Sequence, residues 1–153
     1  MKKLIIALGF VAVLGFSGFA NAQIGTCNQF GNGYFKYSQA QATALLSGSL
    51  ACYPTAAPYS NQEAHYATGV VGDYKKGPAG LGVVDPTLLN IGGWAVAGTG
   101  LVTYTYSPGA KTFSYFIYGP NVTTPPSGLY DFCTAAGGTA IRIRVAKGST
   151  GPC

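Results

Sequence analysis

Three hydrophobic patterns follow one another along this chain. Leu4 to Phe16 is an almost unbroken apolar run behind a basic start at Lys2 and Lys3. A short helical stretch lies at Ala40 to Leu46, and from Gly48 onward the period changes to alternation. Ser38 and Gln41 stand at capping-box spacing, in which each side chain takes the other's backbone N–H. Ala40 to Leu46 is rich in helix formers and Ser47-Gly48 stops it, so one helix of two to three turns is predicted there.

The alternating part predicts short strands. Leu50 and Cys52 share one face of a strand ending at Pro54, and Pro54 to Ser60 is a loop. Glu63 to Tyr66 and Val70 to Lys75 read as strands around Thr68-Gly69. Residues 77–92 hold Gly77-Pro78, Gly80, Gly82 and Asp85-Pro86, too much punctuation for a regular element. Trp94 and Val96 then alternate with Ala95 and Ala97 before a turn at Gly98-Thr99-Gly100, and the lone tryptophan is expected in the core. Leu101 to Tyr106 presents a Leu/Thr/Thr face and a Val/Tyr/Tyr face, and Thr112 to Tyr118 is a second aromatic strand. Leu129 to Cys133 and Ala140 to Val145 complete the set. In the last, Ile141, Ile143 and Val145 face away from Arg142 and Arg144, as in a strand with one wet face.

Seven or eight such strands with hairpin-length turns predict a mainly β fold: a small antiparallel barrel or sandwich with one short N-terminal helix. No internal repeat or composition break divides it. Residues 1–22 read as a signal peptide, 23–37 as a lead-in segment and 38–153 as a single β-rich domain.

The export reading rests on Phe19-Ala20-Asn21-Ala22, whose small-x-small pattern places cleavage before Gln23. The apolar run before it, about 13 residues, is too short to cross ~30 Å of hydrocarbon as a helix. Thr26 is bulkier than the residue expected before a lipidated cysteine, which argues against an anchor at Cys27. Without Lys2 and Lys3, seven cations face four acids, a net charge of +3. So sparse a charge suits a periplasmic or secreted protein. It also falls short of nucleic-acid binding, so Arg142, Arg144 and Lys147 are expected as a solvated edge that discourages aggregation. Nothing after the leader reaches the length of a membrane span.

Cys27, Cys52, Cys133 and Cys153 remain after processing, and an even count in an exported chain predicts two disulfides. Three connectivities are open. Neighbour pairing, Cys27 with Cys52 and Cys133 with Cys153, is preferred because the terminal residue would otherwise fray. The cysteines are too widely spaced for a zinc site, so neither metal nor cofactor is expected.

Candidate chemistry centres on the one histidine. Glu63 and His65 are two apart and share a face on a strand, and Asp73, Tyr74 and Asp85 lie on or beside the Gly/Pro-rich connection. These five residues are the candidate ligand-binding group. If they converge, Glu63 should hold His65 and raise its pKa. The plainer reading leaves Glu63 and His65 as a surface pair, Asp73 paired with Lys75 or Lys76, and Asp85 capping the turn at Pro86. No nucleophile motif accompanies them, so no catalytic residue is assigned. The Tyr and Phe residues at 104, 106, 113, 115, 116 and 118 either pack across strands or line a pocket.

A resemblance extends this picture. Leu46-Ser47-Gly48 with Cys52, Gln62-Glu63-Ala64-His65 and Asp73-Tyr74-Lys75-Lys76-Gly77-Pro78 come first, in that order. Asp85-Pro86, Gly93-Trp94, Tyr130-Asp131-Phe132-Cys133 and Gly151-Pro152-Cys153 follow. This succession, over about two thirds of the chain, resembles a family of small exported proteobacterial β-proteins of uncharacterised activity. The spacer between Pro78 and Asp85 is longer and richer in glycine than the family's pattern. The resemblance implies a compact β-domain and carries over no catalytic residue. The layout is also similar to small lipocalin-type barrels, without a Gly-x-Trp signature near the first strand.

The function these features predict is that of a non-enzymatic binding or interaction module whose partner is a small molecule or protein. The alternative is a structural subunit of an extracellular assembly, with self-association. An enzyme using Glu63 and His65 comes third, because acid/base groups are so scarce.

Overall fold

A computed structural model describes residues 24, 25, 27, 34–56, 59, 61–73, 88–107, 110–134 and 140–148. The leader, Tyr74, Asp85 and Cys153 lie outside the described residues. The elements run β1 (Ile24–Gly25), β2 (Tyr34–Lys36), α1 (Gln39–Leu46), β3 (Ser49–Tyr53), β4 (Asn61–His65) and β5 (Val70–Asp73). They continue with β6 (Leu88–Val96), β7 (Leu101–Tyr106), β8 (Lys111–Pro120), β9 (Gly128–Thr134) and β10 (Ala140–Lys147).

Each strand from β3 to β10 pairs antiparallel with the next, and β10 returns to pair with β3, Arg144 to Lys147 against Cys52 to Ser49. The eight strands form a closed up-and-down barrel. The choice between barrel and sandwich is decided by that last pairing, which no local pattern announces. The lead-in adds two short strands outside the ring: β1 on β10 and β2 on the end of β8.

Alternation sorts the side chains. Val102, Tyr104 and Tyr106 of β7 pair with Val96, Trp94 and Gly92 of β6 and with Tyr115, Phe113 and Lys111 of β8. Directly paired residues share a face, and Trp94, Val102 and Tyr104 belong to the buried core with Val71, Ile117, Phe132 and Val145. That face is therefore the inside.

Helix α1 stops one end of the ring. Its capping box forms as the sequence requires, with Ser38 and Gln41 exchanging bonds. Ala42, Leu45 and Leu46 are buried, and the helix touches β3 and β10 on one side and β6 on the other. Gln39 Nε2 donates to the Val96 carbonyl at 3.0 Å and Gln41 Nε2 to that of Val122 at 2.8 Å. At the same end Tyr37 and Tyr130 meet edge to face, with ring centroids 5.9 Å apart. Gly119 makes room for them, because a Cβ there would sit 2.6 Å from the Tyr130 ring.

Three expectations need correction. Residues 88–92 belong to β6, whose ladder with β5 shifts register between Val71 and Asp73, while the Gly/Pro punctuation at 77–86 lies outside the described residues. The basic residues of β10 are not a solvated edge, since β10 has neighbours on both sides. Arg142 instead forms a bidentate pair with buried Asp131, at 2.8 and 3.0 Å, and lies over the Tyr34 ring. Arg144 Nε donates to the Thr55 carbonyl.

The third concerns the disulfides. Cys27 is bonded to Cys133, with Cα atoms 5.8 Å apart, rather than to Cys52. The register explains it: Gly25 pairs with Ala140, and Ala140 pairs with Cys133 on its other side. A terminal strand two places along the sheet brings the sulfurs together where nearness in sequence does not. Cys52 is also disulfide-bonded, and among the described residues no cysteine is free.

Candidate functional site

The interior changes character along the barrel axis. Near α1 the inward side chains are packed: Val71, Val102, Ile117 and Val145 have no exposed surface, and Trp94 keeps 8 %. Toward the other end Glu63, Asp73, Tyr106, Phe113, Tyr115 and Ile143 are only partly buried. These inward side chains lie toward the strand ends opposite α1.

His65 forms the boundary between the two. It is 1 % exposed, and its Nε2 lies 3.1 Å from the Tyr104 hydroxyl. The Trp94 and Tyr104 rings meet it edge-on at 5.9 and 5.5 Å. Its Nδ1 makes no hydrogen bond. Burial lowers the imidazole pKa to about 4, against smaller upward pulls from the backbone of Glu63 and Ser49. The direction is opposite to the expected upward shift, because desolvation of the charged ring outweighs the backbone contributions of Glu63 and Ser49.

Glu63 does share the inward face, yet it is turned to a different partner. The Tyr106 hydroxyl donates to Glu63 Oε2 at 2.8 Å. Tyr104 stacks on Tyr106, with centroids 6.2 Å apart and planes within 10°. Tyr115 and Phe113 approach this stack edge-on, Tyr115 against Tyr104 and Phe113 against Tyr106. Burial raises the Tyr104, Tyr106 and Tyr115 hydroxyls above the ordinary tyrosine range, and the negative charge of Glu63 adds to each. Three phenols and one carboxylate therefore share one stretch of wall.

Of the candidate residues, the fold brings three to the inner face. Glu63 and Asp73 are direct partners across β4 and β5, and His65 lies one step deeper, opposite Val71. Tyr74 and Asp85 lie outside the described residues. The aromatic ladder divides: Tyr104, Tyr106, Phe113 and Tyr115 face inward, whereas Phe116 and Tyr118 alternate outward, where Lys36 sits 4.6 Å over the Phe116 ring.

Comparison with known proteins adds nothing to this geometry. No family model, curated protein or solved structure matches the chain.

Among the described residues no helix is long and apolar enough to cross a membrane, and no three His, Cys, Asp or Glu side chains gather where they could hold a metal ion. Glu63 and His65 make no acid/base pair here, since each bonds a different tyrosine. The wall presents a positioned carboxylate, tyrosine hydroxyls and aromatic rings.

Proposed function

We propose that this protein is an exported, non-enzymatic binding module that takes a small molecule into the half of the barrel away from α1. The observation that carries the reading is the graded interior. Eight-stranded barrels are just wide enough either to fill with side chains or to hold one small ligand, and here the inward side chains are fully buried in one half and partly buried in the other. The partly buried half combines apolar and aromatic side chains with a few fixed polar groups, the usual composition of a small-molecule site. Export is supported by the Cys27–Cys133 disulfide, which needs an oxidising compartment to persist.

The test is a fragment screen followed by two-dimensional NMR on the isotope-labelled protein. Binding in the lumen shifts Glu63, Tyr106, Tyr115 and Ile143 and leaves the buried face of α1 unmoved. Shifts confined to the outer wall, or none across a chemically broad set, would reject the reading.

A further inference from the structure

Four cysteines leave little freedom once two are joined. Cys27 is bonded to Cys133, and Cys52 is itself in a disulfide. The cysteine that remains in the sequence is Cys153. Cys52 lies in the part of β3 that pairs with β10, Ser49 to Cys52 against Lys147 to Arg144. Ala51 meets Val145 of the core across that seam, so Leu50 and Cys52 alternate to the outer face, where Gln62 of β4 stands opposite Cys52. All three are buried, and outward side chains are buried only beneath a further layer of chain. At the α1 end of the seam the Gly148 N–H donates to the Gly48 carbonyl at 3.0 Å. Gly148 has a φ of +62°, so the chain turns as it leaves β10.

We propose that Cys52 and Cys153 form the second disulfide and that this bond is a redox lock on the seam between β3 and β10, holding the ring shut once the chain reaches an oxidising compartment. The other junctions of the ring join consecutive strands, and the connection between such strands keeps them close when their pairing opens. β3 and β10 lack that help, since most of the chain runs between them. A bond from Cys52 to Cys153 supplies it. The path across the seam shrinks to the few residues after Lys147, which raises the effective concentration at which the two strands meet again. Cys27–Cys133 does not span the seam, because Cys133 lies on β9 and ties down the lead-in segment. Locking takes two protons and two electrons from the thiols and passes them to a disulfide oxidant, whose S–S bond becomes two thiols; a dithiol reductant reverses it. The lock is independent of any ligand in the lumen, and export enters only as the source of the oxidant.

Trypsin cuts after Lys36, Lys75, Lys111, Arg142 and Lys147, which leaves the four cysteines on four separate peptides. Mass spectrometry of the denatured, unreduced digest should find the Cys52 peptide joined to the one that ends at Cys153. Cys153 free, or joined to any other cysteine, would overturn the pairing. The lock is read by amide hydrogen exchange on the oxidised protein and on Cys52→Ser/Cys153→Ser. Amides that bond across the seam, in Leu50 to Cys52 and Arg144 to Ala146, should exchange at least about tenfold faster in the variant, while those of the β7–β8 hairpin stay within about twofold. Cys27→Ser/Cys133→Ser should leave the seam amides near their wild-type rates. Should the first variant fail to fold, as judged by its melting curve, the wild-type protein titrated with a dithiol gives the same readout. Seam exchange should then rise in step with the appearance of Cys52 and Cys153 thiols. Seam exchange that ignores the loss of this bond, that rises equally across the whole barrel, or that rises as much in both double variants would overturn the lock.

Discussion

The two halves of the barrel share the same eight strands and are held together by different means. The half beside α1 is stabilised by burial: Trp94, Val102, Ile117, Phe132 and Val145 meet Leu45 and Leu46 of the helix in one apolar cluster. The half beyond His65 has partly exposed inner residues, and there the bonded cysteines sit near the strand ends. Cys133 is one residue from the end of β9, and Cys52 one residue from the end of β3. An end whose inner side chains are only partly buried gains less from packing, and covalent staples there supply rigidity that a core would otherwise provide. The division of labour is what a small barrel needs if it is to keep space inside.

The sharpest way to break the comparison is to remove the largest side chain of the packed half. Trp94 is 8 % exposed and its indole N–H donates to the Tyr66 carbonyl at 3.0 Å. Trp94→Ala should cost about 3–5 kcal/mol, measured by chemical denaturation. Phe113→Ala in the partly buried half should cost clearly less, because less surface leaves water there on folding. Equal losses would show that the two halves are packed alike.

The next test concerns the staples. Replacing Cys27 and Cys133 together by serine should destabilise by about 2–5 kcal/mol, since the bond closes a long loop. Hydrogen exchange should quicken first in β1 and at the Thr134 and Ala140 ends of β9 and β10, while amides near α1 stay protected. Uniform loosening would contradict the division.

Acid acts on the boundary residue. The folded His65 imidazole, lowered to about 4, binds a proton less tightly than its unfolded counterpart near 6.5. The unfolded chain therefore takes up more protons between those values. Stability from this group is complete above about pH 6.5 and is lost as pH falls toward 4, on the order of 3 kcal/mol in all. Denaturation curves at a series of pH values, compared with His65→Gln, should show a flatter slope in the variant. An NMR titration giving His65 an ordinary midpoint would refute its burial.

The smallest expected effect lies at the wall itself. Tyr106→Phe deletes the hydroxyl that donates to Glu63 and should cost about 1–2 kcal/mol, toward the low end for a bond to a charged group because the carboxylate keeps some contact with water. Thermal unfolding would read it.

Much of this was legible in the sequence, and what was not has a common cause. Ser38 and Gln41 announce the helix because a capping box is local. The Val/Tyr/Tyr face of β7 announces the inner wall because alternation is local too. The disulfide between Cys27 and Cys133 depends on β1, β10 and β9 lying side by side, which joins residues 106 apart. The start of β6 was hidden because its irregular register with β5 is a property of two strands rather than one. Glu63 and His65 were correctly placed on one face, yet the spacing could not say that the face is internal. That single fact reverses the direction in which the histidine titrates. For the same reason Arg142 looked like a wet residue until Asp131 and Tyr34 were seen around it.

The pairing of β10 with β3 also has a kinetic consequence. Every other junction of the ring joins strands adjacent in sequence, and each can form as a local hairpin. The last junction waits for Arg144 to Lys147, in the last of the eight strands along the chain. Until then Ser49 to Cys52 offers an unpaired edge, the kind that templates association with another chain. Closing the ring brings together segments nearly a hundred residues apart, a large loss of chain entropy before any contact rewards it. Ring closure should thus be the slow step of folding, and substitutions at Val145 or Ala51, which meet across that seam, should slow refolding more than equally destabilising changes in the β7–β8 hairpin.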